Sequence, residues 1–131
     1  MLGLERFSPQ LLSVLRIMAG LMFLEHGTSK LLHIPHVADF DHPLAPMLLA
    51  AGIIELVGGF LIAIGFMTRI AAFICSGEMA VAYFQIHMRM GRSIFPVQNK
   101  GDAAVLFCFI FLFIAAAGAG PWSVDAMRKR A

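Results

Sequence analysis

Apolar residues along the chain fall into four long runs separated by short polar or proline-containing breaks. The first runs from about Leu11 to Leu32, after a Ser8-Pro9 helix start. The second runs from about Leu44 to Met67, behind the punctuation of Pro43 and Pro46, and closes at Gly65 and Thr68. The third covers about Arg69 to Met88. The fourth covers about Asp102 to Ala119 and stops at Gly120-Pro121. Each is close to the roughly 20 residues that cross a hydrocarbon core of about 30 Å. The runs are too long for barrel strands and lack strict alternation, and an open sheet could not satisfy its edges in lipid. The pattern predicts an all-α fold: an antiparallel transmembrane four-helix bundle forming a single domain over residues 1–131.

The connection between runs two and three is very short, which makes those helices antiparallel neighbours. The other two connections are longer and lie together at the opposite end, expected on the non-cytoplasmic side. With both termini on one side, that side carries Arg6, Arg16, Arg69, Arg128, Lys129 and Arg130, against Lys30, Arg89, Arg92 and Lys100 on the other. The positive-inside rule then places both termini in the cytoplasm, in a membrane of bacterial inner-membrane type.

Composition strengthens the membrane reading and excludes other classes. Of 131 residues, 60% are hydrophobic and 14% charged, with a mean hydropathy of +0.83. Eighteen charged side chains could not cover the surface of a soluble domain, which carries about 25% charged residues. A net charge of +2, with its cations spread over loops and a short tail, offers no basic face to nucleic acid. Cys75 and Cys108 lie inside apolar runs and read as small core hydrophobes, with no spacing for a disulfide framework or a zinc site. The first run contains Arg16, Glu25 and Lys30 and no small-residue cleavage site, so it is expected to stay as a span.

Ionisable side chains inside spans cost about 2.5 to 3.5 kcal/mol each at the bilayer centre, so several in one small chain call for a reason. Glu55 and Glu78 fall near the midplane, Glu25 and His26 lie about six residues short of the outer end of span one, and Lys30, His87 and Asp102 sit at that outer interface. At about 100° per residue, Arg16, Gly20, Phe23, Gly27 and Lys30 share one face of span one, with Glu25 opposite Arg16. On span three Glu78 and Gln85 align, with Tyr83 and His87 on another side. One reading is a polar cavity built by His26, Lys30, Glu55, Glu78 and His87. Paired carboxylates can carry protons there, and a histidine can serve as a relay or a carbonyl donor. The bland alternative is a set of buried ion pairs, such as Arg16 with Glu78 or Lys30 with Asp102, that set helix register.

Helix packing in lipid draws on small residues, and Ala51, Gly59 and Ala63, in one i+4 row with Glu55, are the candidates on span two, with Ala115 to Gly120 ending span four. These serve packing within one chain or a homo-oligomer face. In the first long loop, His33, His36 and His42, with Asp39 and Asp41, are weak metal-ligand candidates, because no pair has a diagnostic spacing. The nine methionines read as core filler. The second loop, with Arg89, Arg92, Phe95, Pro96, Gln98, Asn99 and Lys100, is either a lid over the cavity or a contact with lipid phosphates.

A set of ordered elements carries a likeness. These are Phe23-Leu24-Glu25-His26-Gly27 with Lys30, Pro35-His36, Glu55-Leu56-Val57-Gly58-Gly59, Gly65 with Thr68-Arg69, and Ser76-Gly77-Glu78-Met79-Ala80 leading through Tyr83 to His87. Phe95-Pro96, Asn99-Lys100-Gly101 and Gly120-Pro121-Trp122-Ser123 with Asp125 complete it. Over nearly its whole length the chain resembles the DoxX family of small four-helix membrane proteins. It departs at Asp102, where the family usually places a glutamate. The resemblance implies a membrane subunit associated with redox systems, among them a thiosulfate:quinone oxidoreductase and an oxidative-stress complex.

The leading expectation is therefore a quinone-linked oxidoreductase subunit working with a redox partner protein. Glu55, Glu78 and His26 are its candidate catalytic groups, and Lys30, His87, Tyr83, Asn99 and Asp102 its substrate-binding candidates. Quinone is the cofactor this reading implies; the sequence carries no haem, flavin or iron-sulfur signature, so the electron donor is expected in a partner or a substrate. The alternative is a non-enzymatic membrane protein that binds or transports a small hydrophobic molecule or metal, or scaffolds a partner.

Overall fold

In the computed structural model, which describes residues 2–130, the secondary structure of the described residues is helical throughout. Helix α1 (Ser8–Leu32) begins with proline in its first turn, where the missing N–H would have had no partner. It stops at His33, whose left-handed backbone turns the chain and returns an N–H to the Thr28 carbonyl. Helix α2 (Pro46–Ile64) also starts on proline. It ends at Gly65, where φ of 74° is natural for a residue without Cβ and the amide caps the Leu61 and Ile62 carbonyls. Helix α3 (Thr68–Ala82) follows directly and continues through a π-helical turn, Tyr83–His87, and one further turn, Met88–Gly91. After a single turn at Pro96–Asn99 come α4 (Asp102–Ala117) and the tail helix α5 (Val124–Arg130).

Leu4–Leu32, Pro46–Ile64 and Thr68–Gly91 are each long and apolar enough to cross a membrane, and α4 is a shorter apolar helix of 16 residues. Large side chains face outward along them, with Phe73 66% exposed, Phe84 58% and Phe109 64%. That inverts the pattern of a soluble protein, and the chain is a multi-pass membrane protein. Helix α2 is shorter at both ends than the expected 44–67, because Pro46 and Gly65 punctuate it. Helix α4 stops two residues before Ala119, because Gly118 leaves the helix at φ 94°.

Glycines set how closely α1 and α2 approach. A Cβ at Gly20 would meet the Ala63 backbone, at Gly59 the Leu24 backbone, at Gly27 the Leu56 backbone and at Gly52 the Leu31 side chain. The contact positions, 20, 24, 27 and 31 against 63, 59, 56 and 52, run in opposite directions in steps of four, three and four. That is the spacing of two helices packed along a common seam. Gly52 therefore occupies the contact row in place of the expected Ala51, since a strict i+4 row drifts around a helix by about 40° per step.

Helices α3 and α4 pair at seven-residue intervals. Arg69 bonds the Ala115 and Ala116 carbonyls, the Ser76 hydroxyl donates to the Cys108 carbonyl at 2.7 Å, and Tyr83 packs on Gly101. The core between the two pairs is aromatic. Phe23 of α1 meets Phe107 and Phe111 of α4 at ring centroid distances of 5.5 and 4.8 Å.

Candidate functional site

Lys30, in the last turn of α1, reaches across the glycine-lined seam to Glu55 of α2. Its Nζ lies 2.6 Å from Oε2, with side-chain exposures of 9% and 3%. Without a Cβ on Gly52 the lysine stem lies close against α2. The ring of Phe40 from the first long loop covers the ammonium at 5.4 Å. The pair thus sits under a lid of loop residues, and Asp102, exposed in the first turn of α4, is not its partner.

The level of Glu78 follows from a second close approach. Gly58 of α2 lies directly against Cys75 of α3. In antiparallel helices, three residues back on one and three forward on the other brings Glu55 and Glu78 to the same depth. Lys30 and Glu55 are both within electrostatic reach of the Glu78 carboxyl. Glu78 is half-buried, and its Oε2 is fully enclosed with no hydrogen-bond partner. It borders a groove of about 280 Å³ that opens between α2 and α3 and is otherwise walled by apolar residues, chiefly Met47, Ala51, Ile54, Ile74, Val81 and Ile86.

The other predicted residues divide between two places. His26 lies on an exposed face of α1, where Nδ1 donates to the Met22 carbonyl at 2.8 Å and the ring stands edge-on to Phe107 of α4. It is within electrostatic reach of Glu55 but outside the groove. Tyr83, His87 and Asn99 form a separate cluster above. The Tyr83 hydroxyl donates to the Ile94 carbonyl and accepts from Asn99 Nδ2 at 3.2 Å. Asn99 also donates to the Ser93 carbonyl, accepts from the Gly101 amide, and through its own carbonyl accepts from His87 Nδ1 at 3.3 Å. The π-helical turn Tyr83–His87 sets both α3 side chains against this loop. Their polar atoms are spent on holding residues 91–101, so the expected five-residue cavity divides into two clusters and leaves His26 in neither. The ion pair with Glu78 is one, and the loop staple is the other.

The loop histidines His33, His36 and His42 are all exposed. His36 Nε2 donates to Asp41 at 2.7 Å and His42 Nδ1 to the Pro43 carbonyl at 3.2 Å. Among the described residues no three His, Cys, Asp or Glu side chains converge.

Arg16 corrects the suggested pairing with Glu78. It is fully buried, yet it lies 14 residues from Lys30 along α1, a rise of about 21 Å. It donates instead to the Ala119 carbonyl and, at 2.8 Å, to that of Trp122 in the turn after α4, and at 3.4 Å to that of Ala63 in the last turn of α2. Sequence reasoning also gave no role to Asp125. Its carboxylate accepts from the amides of Met67 and Thr68, both at 3.0 Å, and so caps α3 from the tail. An acid just past the Gly-Pro-Trp-Ser turn was the available signal.

A family model described as DoxX matches residues 11–88, which include Lys30, Glu55 and Glu78. A protein of Haemophilus influenzae described as uncharacterized is 43% identical over 126 residues, covering 94% of this chain and 94% of its own. No solved structure matches the chain. A match over more than half of the residues, together with a relative of that identity along nearly the full length, makes the chain a member of the DoxX family.

Proposed function

We propose that this protein is the membrane component of a quinone-linked redox system and takes a quinone headgroup from the bilayer into the groove at Glu78. The observation that carries the reading is the Glu78 Oε2 atom, enclosed and unpartnered at the edge of an otherwise apolar groove on the outer surface of the helices. A groove of about 280 Å³ suits a single ring bearing two carbonyl oxygens, and its walls suit the ring faces. Reduction of a quinone to its hydroquinone consumes two electrons and two protons. The partner protein, or a reduced substrate that it oxidises, supplies the electrons. Glu78 delivers one proton to a quinone oxygen and solvent at the groove mouth supplies the second, while the Lys30–Glu55 pair at the same depth keeps a fixed ammonium within electrostatic reach.

In this reading α4 is the fourth crossing of an antiparallel bundle. Residues 33–45 and 91–101 lie outside, and the termini with Arg128, Lys129 and Arg130 lie in the cytoplasm of a bacterial-type cell. The test uses the full chain in nanodiscs, with azido-ubiquinone and azido-menaquinone probes mapped by peptide sequencing. Labelling of α2 and α3 within residues 47–86, competed by unlabelled quinone and weakened about tenfold by both E78L and the groove-filling I54W, supports the site. Labelling elsewhere, or binding unchanged in both variants, overturns it.

A further inference from the structure

Helix α1 turns one face inward through Ser13, Arg16, Ala19, Gly20, Phe23 and Gly27. Its opposite face is a straight exposed seam of Leu11, Leu15, Met18, Met22 and Glu25, spaced four, three, four and three residues apart. That alternation is the contact spacing of helices packed side by side, as α1 and α2 already are. The outward faces of α2 and α4, by contrast, are apolar beyond the first turn, where Asp102 of α4 stands exposed at the loop end: Ile53, Val57, Phe60 and Ile64 on one, Leu106, Phe109, Leu112 and Phe113 on the other. Glu25 differs from Asp102 in placing its carboxyl seven residues inside the end of its helix rather than in a terminal turn. Among the described residues its side chain makes no hydrogen bond or ion pair, while the hydroxyls of Thr28 and Ser29 bond only its backbone carbonyl. Lipid can cover leucine and methionine but offers nothing to a carboxyl at that depth.

We propose that the seam is the interface of a parallel homodimer, closed by a hydrogen-bonded pair of Glu25 carboxyls. The occupant is a second copy of this chain for two reasons. Copies inserted with one topology bring position 25 against position 25 at the same depth, and a carboxylic acid is its own complement, with one O–H donor and a carbonyl acceptor. The rest of the seam is equally self-complementary. Leu11 and Leu15 carry no charge that would call for an opposite partner, and Met18 and Met22 adapt to a facing copy of themselves. The seam shares no residue with the groove at Glu78, so it stands or falls apart from the quinone reading.

The test is the oligomeric state of the purified full chain in nanodiscs and mild detergent, by light scattering and by subunit-exchange fluorescence. Crosslinking in membranes between copies carrying M18C is compared with copies carrying I53C on α2. The proposal expects a two-chain particle, crosslinking through position 18 and none through position 53. The dissociation constant should rise about tenfold or more in E25L and stay within about threefold in E25Q, whose amides can also pair across the seam. Circular dichroism of E25L should match the wild type, and if E25L does not fold, the contrast between positions 18 and 53 decides by itself. A monomeric wild-type chain, crosslinking through position 53, E25L as dimeric as the wild type, or an unrelated protein held at position 18 each overturns it.

Discussion

Lys30 and Glu55 meet at 2.6 Å across the α1–α2 seam, both nearly sealed from their surroundings. Two opposite charges so enclosed depend on each other, since removal of either leaves the other without compensation. K30M or E55L alone is expected to destabilise the protein by about 3 to 5 kcal/mol, and the double change K30M/E55L to recover most of that loss. Thermal unfolding in a fixed detergent across this cycle is the check. Additive single losses would show that the pair does not act as a unit.

The glycine contacts predict a sharp positional contrast. G27A and G59A each drive a methyl into the backbone of the facing helix, at 2.5 Å from the Leu56 amide and 2.6 Å from that of Leu24. Each should cost about 1 to 3 kcal/mol. G77A meets no atom within 4 Å on α3 and should be neutral or stabilising by about 0.5 to 1 kcal/mol through helix propensity. The same unfolding measurement separates them, and equal effects would refute the close approach.

Arg16 predicts a loss that no acidic partner can explain. R16M removes a cation from three carbonyls, two in the turn after α4 and one in the last turn of α2, and is expected to cost about 3 kcal/mol or more. E78Q should leave that loss unchanged in the double variant, because the two residues are separated by several helical turns and share no partner. A non-additive result would restore the pairing that the geometry rejects.

Asp125 predicts acid sensitivity at the end of the bundle that carries the C-terminal tail. Burial works against its ionised form, but the Thr68 hydrogen bonds, the Met67 amide and the nearby Arg128 outweigh it and hold the carboxyl below its ordinary value. The sign follows from a depressed native pKa. The contribution to stability is complete above the unfolded value of about 3.9 and is lost as pH falls through the lower folded value. D125N should cost about 1 kcal/mol at neutral pH, as for a lost helix cap, and should flatten the acid limb of stability against pH. An unchanged acid limb would count against the cap.

Asn99 and Tyr83 should differ although they touch. N99A removes three side-chain hydrogen bonds, to Tyr83, Ser93 and Gly101, whereas Y83F deletes one hydroxyl. Limited proteolysis should cleave residues 91–101 several-fold faster in N99A than in Y83F, which stays near the wild type. Comparable rates would mean that the tyrosine, not the asparagine, holds the loop.

Much of this protein is written locally. The apolar runs, the proline starts and the glycine stops mark the helices, because hydrophobic length, a missing N–H and a left-handed cap act within a few residues of themselves. The faces are local too. The 100° step alone puts Arg16, Gly20, Phe23, Gly27 and Lys30 on one side of α1 and Glu25 on the other, as the burial pattern has them.

Which side chain meets which was decided only by tertiary structure. That Lys30 takes Glu55 rather than Asp102, that Arg16 takes carbonyls rather than Glu78, and that Tyr83 and His87 hold a loop rather than join the groove depend on the relative sliding of helices. That sliding is set where Gly20, Gly27, Gly52 and Gly59 let backbones touch and where Gly58 admits Cys75. One residue of axial slip moves a side chain by about 1.5 Å and 100°, enough to exchange one partner for another. Such contacts join residues far apart in the chain, and no local pattern encodes them.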